Sequence, residues 1–454
     1  MHGQQTQAKR PSGVRALLEY YLPRIFLRVG EVFGVFWAGT SRHARVFPKE
    51  LDIPDGPPDA LIPVTEVMDH DEDVVFRDVM LGFSGDCLVY EKGDGRKPDH
   101  EDKHWGYTKG IVEGELKIDA LDALPEECRR GLFTSPGIYD VVARPNFLRD
   151  EDKIRVSRLS LKIRTDFDVP NVYAFSGTAQ ELDLLLSEGL RQADSERGDQ
   201  DGQGFFFRDA RQLRYMHQLD TQGLKALWSL LKKSNGDVLE TQQDIMTRAL
   251  DCLYTPTQSS KNWAEKDYYS AGPYRLGGVL MKFGLRTRQH TAGKRAPKSS
   301  SLSHDQRVWF DEWKNDGAPA IFDLCIQIAR YGAIPEPSRA RRDPCKAIMA
   351  SEYTDLVWNE KISSFARVGT LTLHAKPTPT DTAPWYLKAR ERWYPNEQPQ
   401  VEALRFNAWN TLPDMQPVGQ LFRARKQVHT HHRETRLRHT FSAHKNPKAF
   451  CPMR

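Results

Sequence analysis

The chain has 454 residues, of which 39% are hydrophobic and 28% are charged, and this composition excludes a disordered or fibrous protein. Its formal net charge of +4 is too small to indicate a nucleic-acid partner by itself. The six cysteines are far apart and form no C-x-x-C pair, which argues against a disulfide framework or a zinc knuckle and favours a cytoplasmic protein.

Residues 14–38 form the most apolar stretch of the chain, VRALLEYYLPRIFLRVGEVFGVFWA. Charged residues and Pro23 interrupt the stretch, so it is a poor membrane span, and the pattern of a secretory signal is absent. It predicts a buried or domain-capping helix, and the alternative is an interfacial helix that contacts a membrane surface. The prolines and acids of residues 39–75 predict an extended arm after it.

Short strands are predicted from about residue 104 onward, because β-branched and aromatic residues alternate there with clusters of Gly and Asp. Segments of this kind, separated by turn residues, are typical of a barrel or a strongly bent sheet. The clearest predicted strands are 110–118, 139–146, 154–164, 171–177 and, later in the chain, 367–375. Helical periodicity appears at 221–234 and 239–254.

Six short blocks follow one another in a characteristic order: GLFTSPGIYDVVARPN (131–146), DKIRVSRLSLKI (152–163), GFFFRDARQL (204–213), YYSAGPYRLGG (268–278), WNEKISSFARVGTLTL (358–373) and FNAWNTLPDMQPVGQLFRARKQVHTHHRETR (406–436). In this order they resemble the catalase superfamily, in particular the small catalase-like haem proteins that include the allene oxide synthase type. The resemblance implies an α+β fold with an antiparallel β-barrel core, surrounding helices and an N-terminal extension. It divides the chain into an N-terminal helix and extended arm (1–100), a catalase-like haem domain (101–440) and a basic C-terminal tail (441–454).

In that family a late helix carries a tyrosine as the axial haem ligand, and an arginine lies four residues earlier on the same helical face. Here Arg425 occupies the arginine position and His429 the tyrosine position. The resemblance therefore implies haem b as the cofactor, with His429 as the ligand of its iron. Arg144 and Arg436 match family arginines that bind the haem propionates.

Three alternatives remain open for this side of the cofactor. The haem could have been lost, which would leave His429 as a polar surface residue. A zinc or copper site could be built from His429, His431 and His432, although the last two point in different directions on a helix. Another tyrosine, such as Tyr139 or Tyr215, could replace the missing ligand.

The other side of the cofactor departs further from the family. The family's distal histidine stands in an H-x-K-x-x-G run, which here reads HWGYTKG at 104–110 and places Trp105 at the histidine position. His104, one residue earlier, is the predicted catalytic base, and the alternative is an exposed loop histidine. Phe206 is predicted to supply an apolar wall over the cofactor, or else ordinary core. Arg158 replaces a family glycine and is expected to crowd a ligand above the haem.

Efficient peroxide disproportionation requires a distal His–Asn pair and an anionic axial ligand, and both are altered here. The sequence favours an oxidoreductase or hydroperoxide-converting haem enzyme that acts on an organic or peroxide substrate. The alternatives are a weak peroxidase or catalase, and a haem-free catalase-like scaffold with a binding or lipid-associated role. The expected partners are a small-molecule substrate and a membrane surface contacted through residues 14–38. The basic C-terminus lacks interleaved aromatic residues, so nucleic acid is not expected.

Overall fold

The computed structural model describes residues 59–64, 68, 72–80, 107–108, 111–147, 157–165, 167, 181–188, 209–210, 213–214, 263–288, 310, 312–333, 352–354, 357–375 and 406–427. Ten strands lie in this part of the chain: β1 (Tyr107–Thr108), β2 (Val112–Ile118), β3 (Gly137–Phe147), β4 (Ser157–Arg164), β5 (Glu181–Glu188), β6 (Tyr268–Ser270), β7 (Tyr274–Leu276), β8 (Val279–Thr287), β9 (Ala320–Ile328) and β10 (Ala366–Leu373).

Eight of these strands close into a barrel. Their order is β3-β2-β10-β9-β8-β6-β5-β4, and β4 pairs back to β3. Every pairing is antiparallel. Outside this ring, β1 pairs with the end of β3, and β7 forms a hairpin with β8. The antiparallel β-barrel core predicted from the sequence is therefore confirmed.

The interior of the barrel is apolar because side chains alternate along each strand. On β4, Leu159, Leu161 and Ile163 are almost fully buried, and they lie opposite the leucines at 186, 184 and 182 of β5. The alternate residues of β4 therefore point to the outer face of the barrel. This outer face carries the charged side chains from which the candidate site is built.

The predicted strands 110–118, 139–146, 154–164 and 367–375 correspond to β2, β3, β4 and β10. The segments named as strands from the sequence did not include β5, β6, β7, β8 or β9. The sequence of β5, ELDLLLSE, is rich in helix-forming Leu and Glu, and it forms a strand because both of its faces are covered. The predicted strand 171–177 and the predicted helices 14–38, 221–234 and 239–254 lie outside the described residues.

The described residues include the helices α1 (72–80), α2 (312–316, with 310 also helical) and α3 (420–427), and further helical residues at 210 and 213–214. The first and the last are in contact, since Glu72 of α1 pairs with Arg423 of α3. Among the helices that the structure describes, none is long and apolar enough to cross a bilayer.

Candidate functional site

Helix α3 is fixed by a polar network on one of its sides. Arg423 donates to both carboxylate oxygens of Glu72, with Nη2–Oε1 at 2.6 Å and Nε–Oε2 at 3.0 Å. The carboxylate of Glu352 lies 3.8 Å from Nη1 of the same arginine. The amide oxygen of Gln420 accepts a hydrogen bond from the backbone N–H of Ala210 at 3.2 Å. Because these contacts are largely buried, they set the rotation of α3 and hence the direction of Arg425.

The other side of α3 packs against an aromatic cluster. The ring of Phe422 meets the ring of Tyr274 edge-on with centroids 5.2 Å apart, and Tyr274 meets Phe283 at 5.1 Å. The guanidinium carbon of Arg425 lies 5.8 Å from the centroid of Phe422. The guanidinium of Arg425 and the Tyr274 side chain therefore approach the same phenylalanine.

The hydroxyl of Tyr274 is buried and makes no hydrogen bond within the described part of the chain. Burial raises the pKa of Tyr274, and Arg425 opposes this effect without reversing it. Burial also lowers the pKa of Arg425, and the neighbouring Tyr274 again opposes the shift. At neutral pH the pair is thus a phenol that keeps its proton beside a poorly solvated guanidinium.

Arg144 lies on the outer face of β3. Its guanidinium carbon is 4.5 Å from the centroid of the Phe406 ring, and Nζ of Lys162 lies 5.4 Å from the same centroid. Lys162 belongs to a buried ion pair, because its Nζ lies 2.7 Å from Oδ1 of Asp183. The second carboxylate oxygen of Asp183 accepts the backbone N–H of Asn407 at 2.8 Å, which holds the 406–410 segment against the barrel.

Arg158 lies on the same outer face, on the strand next to Arg144. In the register of β3 and β4, Arg144 is opposite Ser160 and Arg158 is opposite Asn146, so the two arginines are diagonal neighbours. Burial, and then the positive charge of Arg425, lower the pKa of Arg158 to about 10. The structure therefore places Arg158 beside Arg425 on the outside of the barrel, and not in its apolar interior.

Of the residues predicted to form the site, Arg144 and Arg425 are described, and both lie near Arg158. The sequence analysis expected Arg158 only to crowd a ligand above the haem, and it did not identify Tyr274 as a site residue. Arg158 shares the alternation of β4 with Lys162, but this signal becomes useful only when the strand pairing is known. The predicted residues His104, Phe206, His429 and Arg436 lie outside the described residues. Within the described residues, no cluster of three His, Cys, Asp or Glu side chains is placed to hold a metal ion.

The site is thus a group of guanidiniums and one buried phenol, located where α3 and the 406–410 segment cover an antiparallel barrel. Such a site can bind an anionic group and can donate hydrogen bonds to it. A further catalytic step would require residues beyond those described.

No family model matches the sequence, and no curated protein matches it. Solved structures do match the fold, and three of them are catalases. A bacterial catalase shares 14% identity over 85% of this chain and 64% of its own chain, with a TM-score of 0.44. A fungal catalase shares 14% identity over 84% and 66%, with a TM-score of 0.45. Catalase A from Saccharomyces cerevisiae shares 12% identity over 84% and 68%, with a TM-score of 0.43.

The chain therefore spans slightly less than two thirds of the first two catalases, and the likeness concerns the fold alone. It does not extend to the small allene oxide synthase-like group expected from the sequence blocks, which remains a prediction. It also does not assign an activity.

Proposed function

We propose that the chain is a catalase-like haem protein that converts an organic hydroperoxide or another peroxide, and is not an efficient catalase. The observation that carries the proposal is the group of Arg144, Arg158 and Arg425 on one side of the barrel. A group of poorly solvated guanidiniums fits a cofactor that brings carboxylates, as the propionates of haem b do. The six sequence blocks support the same cofactor.

In this proposal Arg144, Arg425 and Arg436 would hold the cofactor, His429 would ligate its iron, and Phe206 would form an apolar wall. Haem iron, when bound, supplies the redox chemistry that peroxide conversion requires. The chain's own contribution is electrostatic and steric. Arg425 would place a positive charge one helical turn from His429, which disfavours the imidazolium form and keeps the imidazole neutral for ligation. Tyr274 keeps its proton on Oη because burial raises its pKa.

The reaction preference follows from the altered residues. His104 is proposed as the residue that moves a proton on the peroxide side of the cofactor. A neutral imidazole at position 429 donates less charge to iron than a phenolate does, so hydrogen peroxide disproportionation should be slow. The substrate is proposed to be a small molecule that has an apolar part, as an organic hydroperoxide does. Membrane contact through residues 14–38 and a cytoplasmic location also remain proposals.

The test begins with the absorption spectrum of the full chain, expressed with a haem precursor and iron. We expect a Soret band that is lost or strongly reduced in Arg425→Gln and shifted in His429→Ala. The matched control is Lys426→Gln, since Lys426 is the next residue of α3 and lies over the Trp409 ring with Nζ 4.5 Å from its centroid. The control should keep the band.

Rates with an organic hydroperoxide and with hydrogen peroxide then test the reaction. The proposal requires faster turnover of the organic hydroperoxide. A colourless wild-type protein whose thermal stability does not respond to haemin would instead support the haem-free scaffold with a binding or lipid-associated role.

A further inference from the structure

The outer face of β4 carries four polar or charged residues in alternation: Arg158, Ser160, Lys162 and Arg164. Two of its three cations have acids as neighbours. Nζ of Lys162 lies 2.7 Å from Asp183 and 3.6 Å from Glu181, and Nη1 of Arg164 lies 3.4 Å from Asp140. The fold therefore supplies negative charge for these two positions.

Arg158 is different. Its neighbours across the strands are Ser187 on β5 and Asn146 on β3, and neither is an acid. In the described part of the chain it makes no hydrogen bond or ion pair. The charged group that acts most strongly on it is another arginine, Arg425 of α3.

This arrangement is unfavourable for the chain by itself. Arg158 is half-buried, and a guanidinium that loses part of its contact with water loses hydration free energy, while a second positive charge nearby adds repulsion. Diagonal cross-strand neighbours on one face lie about 7 to 8 Å apart, so Arg144 is also close enough to contribute. An oxyanion bound between these guanidiniums would remove both costs, because carboxylates and phosphates match the planar donors of arginine.

We infer that Arg158 is the anchoring cation of an oxyanion-binding site between β4 and α3, and that the site takes a carboxylate or phosphate group of a ligand. Two sources fit this chemistry. One is a free anion, which requires no cofactor. The other is a haem propionate, and only this source rests on the proposed function.

The experiment compares Arg158→Gln with Arg164→Gln in the full chain. The two variants remove one guanidinium each from the same face of the same strand, but the second removes a cation that has an acid partner. Circular dichroism checks that both variants fold. Arg158→Lys serves as the conservative variant and should recover part of any lost binding.

The first arm measures thermal unfolding of the haem-free protein against inorganic phosphate at constant ionic strength, with chloride as the balancing salt. A free-anion site predicts a saturable rise in Tm for the wild type and for Arg164→Gln, and its loss in Arg158→Gln.

The second arm titrates haemin and haemin dimethyl ester, whose propionates carry no charge, and follows the Soret band. A propionate site predicts that Arg158→Gln weakens haemin binding about tenfold or more, and leaves binding of the ester unchanged.

Either selective loss supports the inference and identifies the source of the anion. If Arg158→Gln and Arg164→Gln behave alike in both arms, the inference is overturned. A wild type that neither binds haemin nor responds to phosphate overturns it as well. A phosphate response without a Soret band would separate the two proposals, since it would support the oxyanion site and contradict the haem protein.

Discussion

Lys162 and Arg158 lie on the same face of the same strand, four residues apart, and their surroundings shift their pKa values in opposite directions. Burial lowers the pKa of Lys162, but Asp183 and Glu181 outweigh burial and the pKa is raised. Burial also lowers the pKa of Arg158, and its charged neighbour Arg425 lowers it further. The first cation belongs to a completed ion pair that holds the 406–410 segment. The second is a cation for which the described chain provides no acid, which is typical of a binding site.

The largest expected effect is the loss of stability when the buried Lys162–Asp183 ion pair is broken. Lys162→Met should lower the free energy of unfolding by about 3 to 5 kcal/mol, because it leaves the carboxylate of Asp183 buried without its cation. The measurement is denaturant unfolding at pH 8. Arg164→Met is the control, since its exposed pair with Asp140 should contribute no more than about 1 kcal/mol.

The stability loss caused by Lys162→Met should depend on pH. Burial raises the pKa of Asp183 to about 6 in spite of Lys162, so this carboxyl favours the folded state when it is protonated. That contribution is complete below the unfolded-state pKa of 3.8 and is lost as the pH rises through the folded-state value. The loss caused by Lys162→Met should therefore be smaller at pH 5 than at pH 8. Equal losses at both pH values would contradict the buried ion pair.

A smaller effect is expected when the hydroxyl of a buried tyrosine is removed, and it should differ between Tyr268 and Tyr274. The hydroxyl of Tyr268 donates to the carbonyl of Trp263 at 2.7 Å, whereas the hydroxyl of Tyr274 makes no hydrogen bond in the described part of the chain. Tyr268→Phe should therefore cost about 1 to 2 kcal/mol of stability, and Tyr274→Phe should cost nothing or stabilise the fold slightly. Chemical denaturation of both variants measures this, and a larger loss for Tyr274→Phe would show that its hydroxyl has a structural partner.

The smallest effect concerns the pH dependence of Arg158 itself. Because the folded-state pKa of about 10 lies below the ordinary value of an arginine, the folded state holds this proton less tightly than the unfolded chain does. The charged Arg158 side chain therefore lowers the stability of the folded state by its full amount below about pH 10, and by less as the pH rises above this value. The stability of the wild type relative to Arg158→Gln should therefore increase between pH 9 and pH 11. Arg164→Gln should show no such trend, and parallel curves for both variants would contradict the desolvated Arg158.

The barrel could be predicted from the sequence because the alternation in β2, β3, β4 and β10 is local and β-branched residues are frequent there. The strand β5 could not, since its leucines and glutamates favour a helix and only burial of both faces of the strand makes it part of the sheet. The assignment of Arg144 and Arg425 to a cofactor site came from the order of the sequence blocks and remains a prediction. Their relation to Arg158 required the register of two strands and the docking of α3, and neither is encoded in local spacing.

Tyr274 illustrates the same limit at the level of one residue. By composition, a tyrosine in the segment YYSAGPYRLGG is expected to be ordinary core, and the ring of Tyr274 does lie in the core. Its importance lies in the hydroxyl, whose pKa is raised by burial and lowered in part by Arg425, although the two residues are some 150 positions apart in the chain. The sequence offered Tyr139 and Tyr215 as examples of a substitute tyrosine, whereas in the structure Tyr274 and Arg425 approach the same Phe422 ring.

The pairing of β2 with β10 has a consequence for biosynthesis. Ile118 pairs with Gly369, so β2 acquires its second neighbour only when most of the chain has been made. At roughly 5 to 20 residues per second, this interval lasts about ten seconds to a minute. During that time one edge of β2 exposes backbone groups that can pair with another chain, as an edge strand does. The nascent protein therefore presents an unpaired strand edge until β10 has been made.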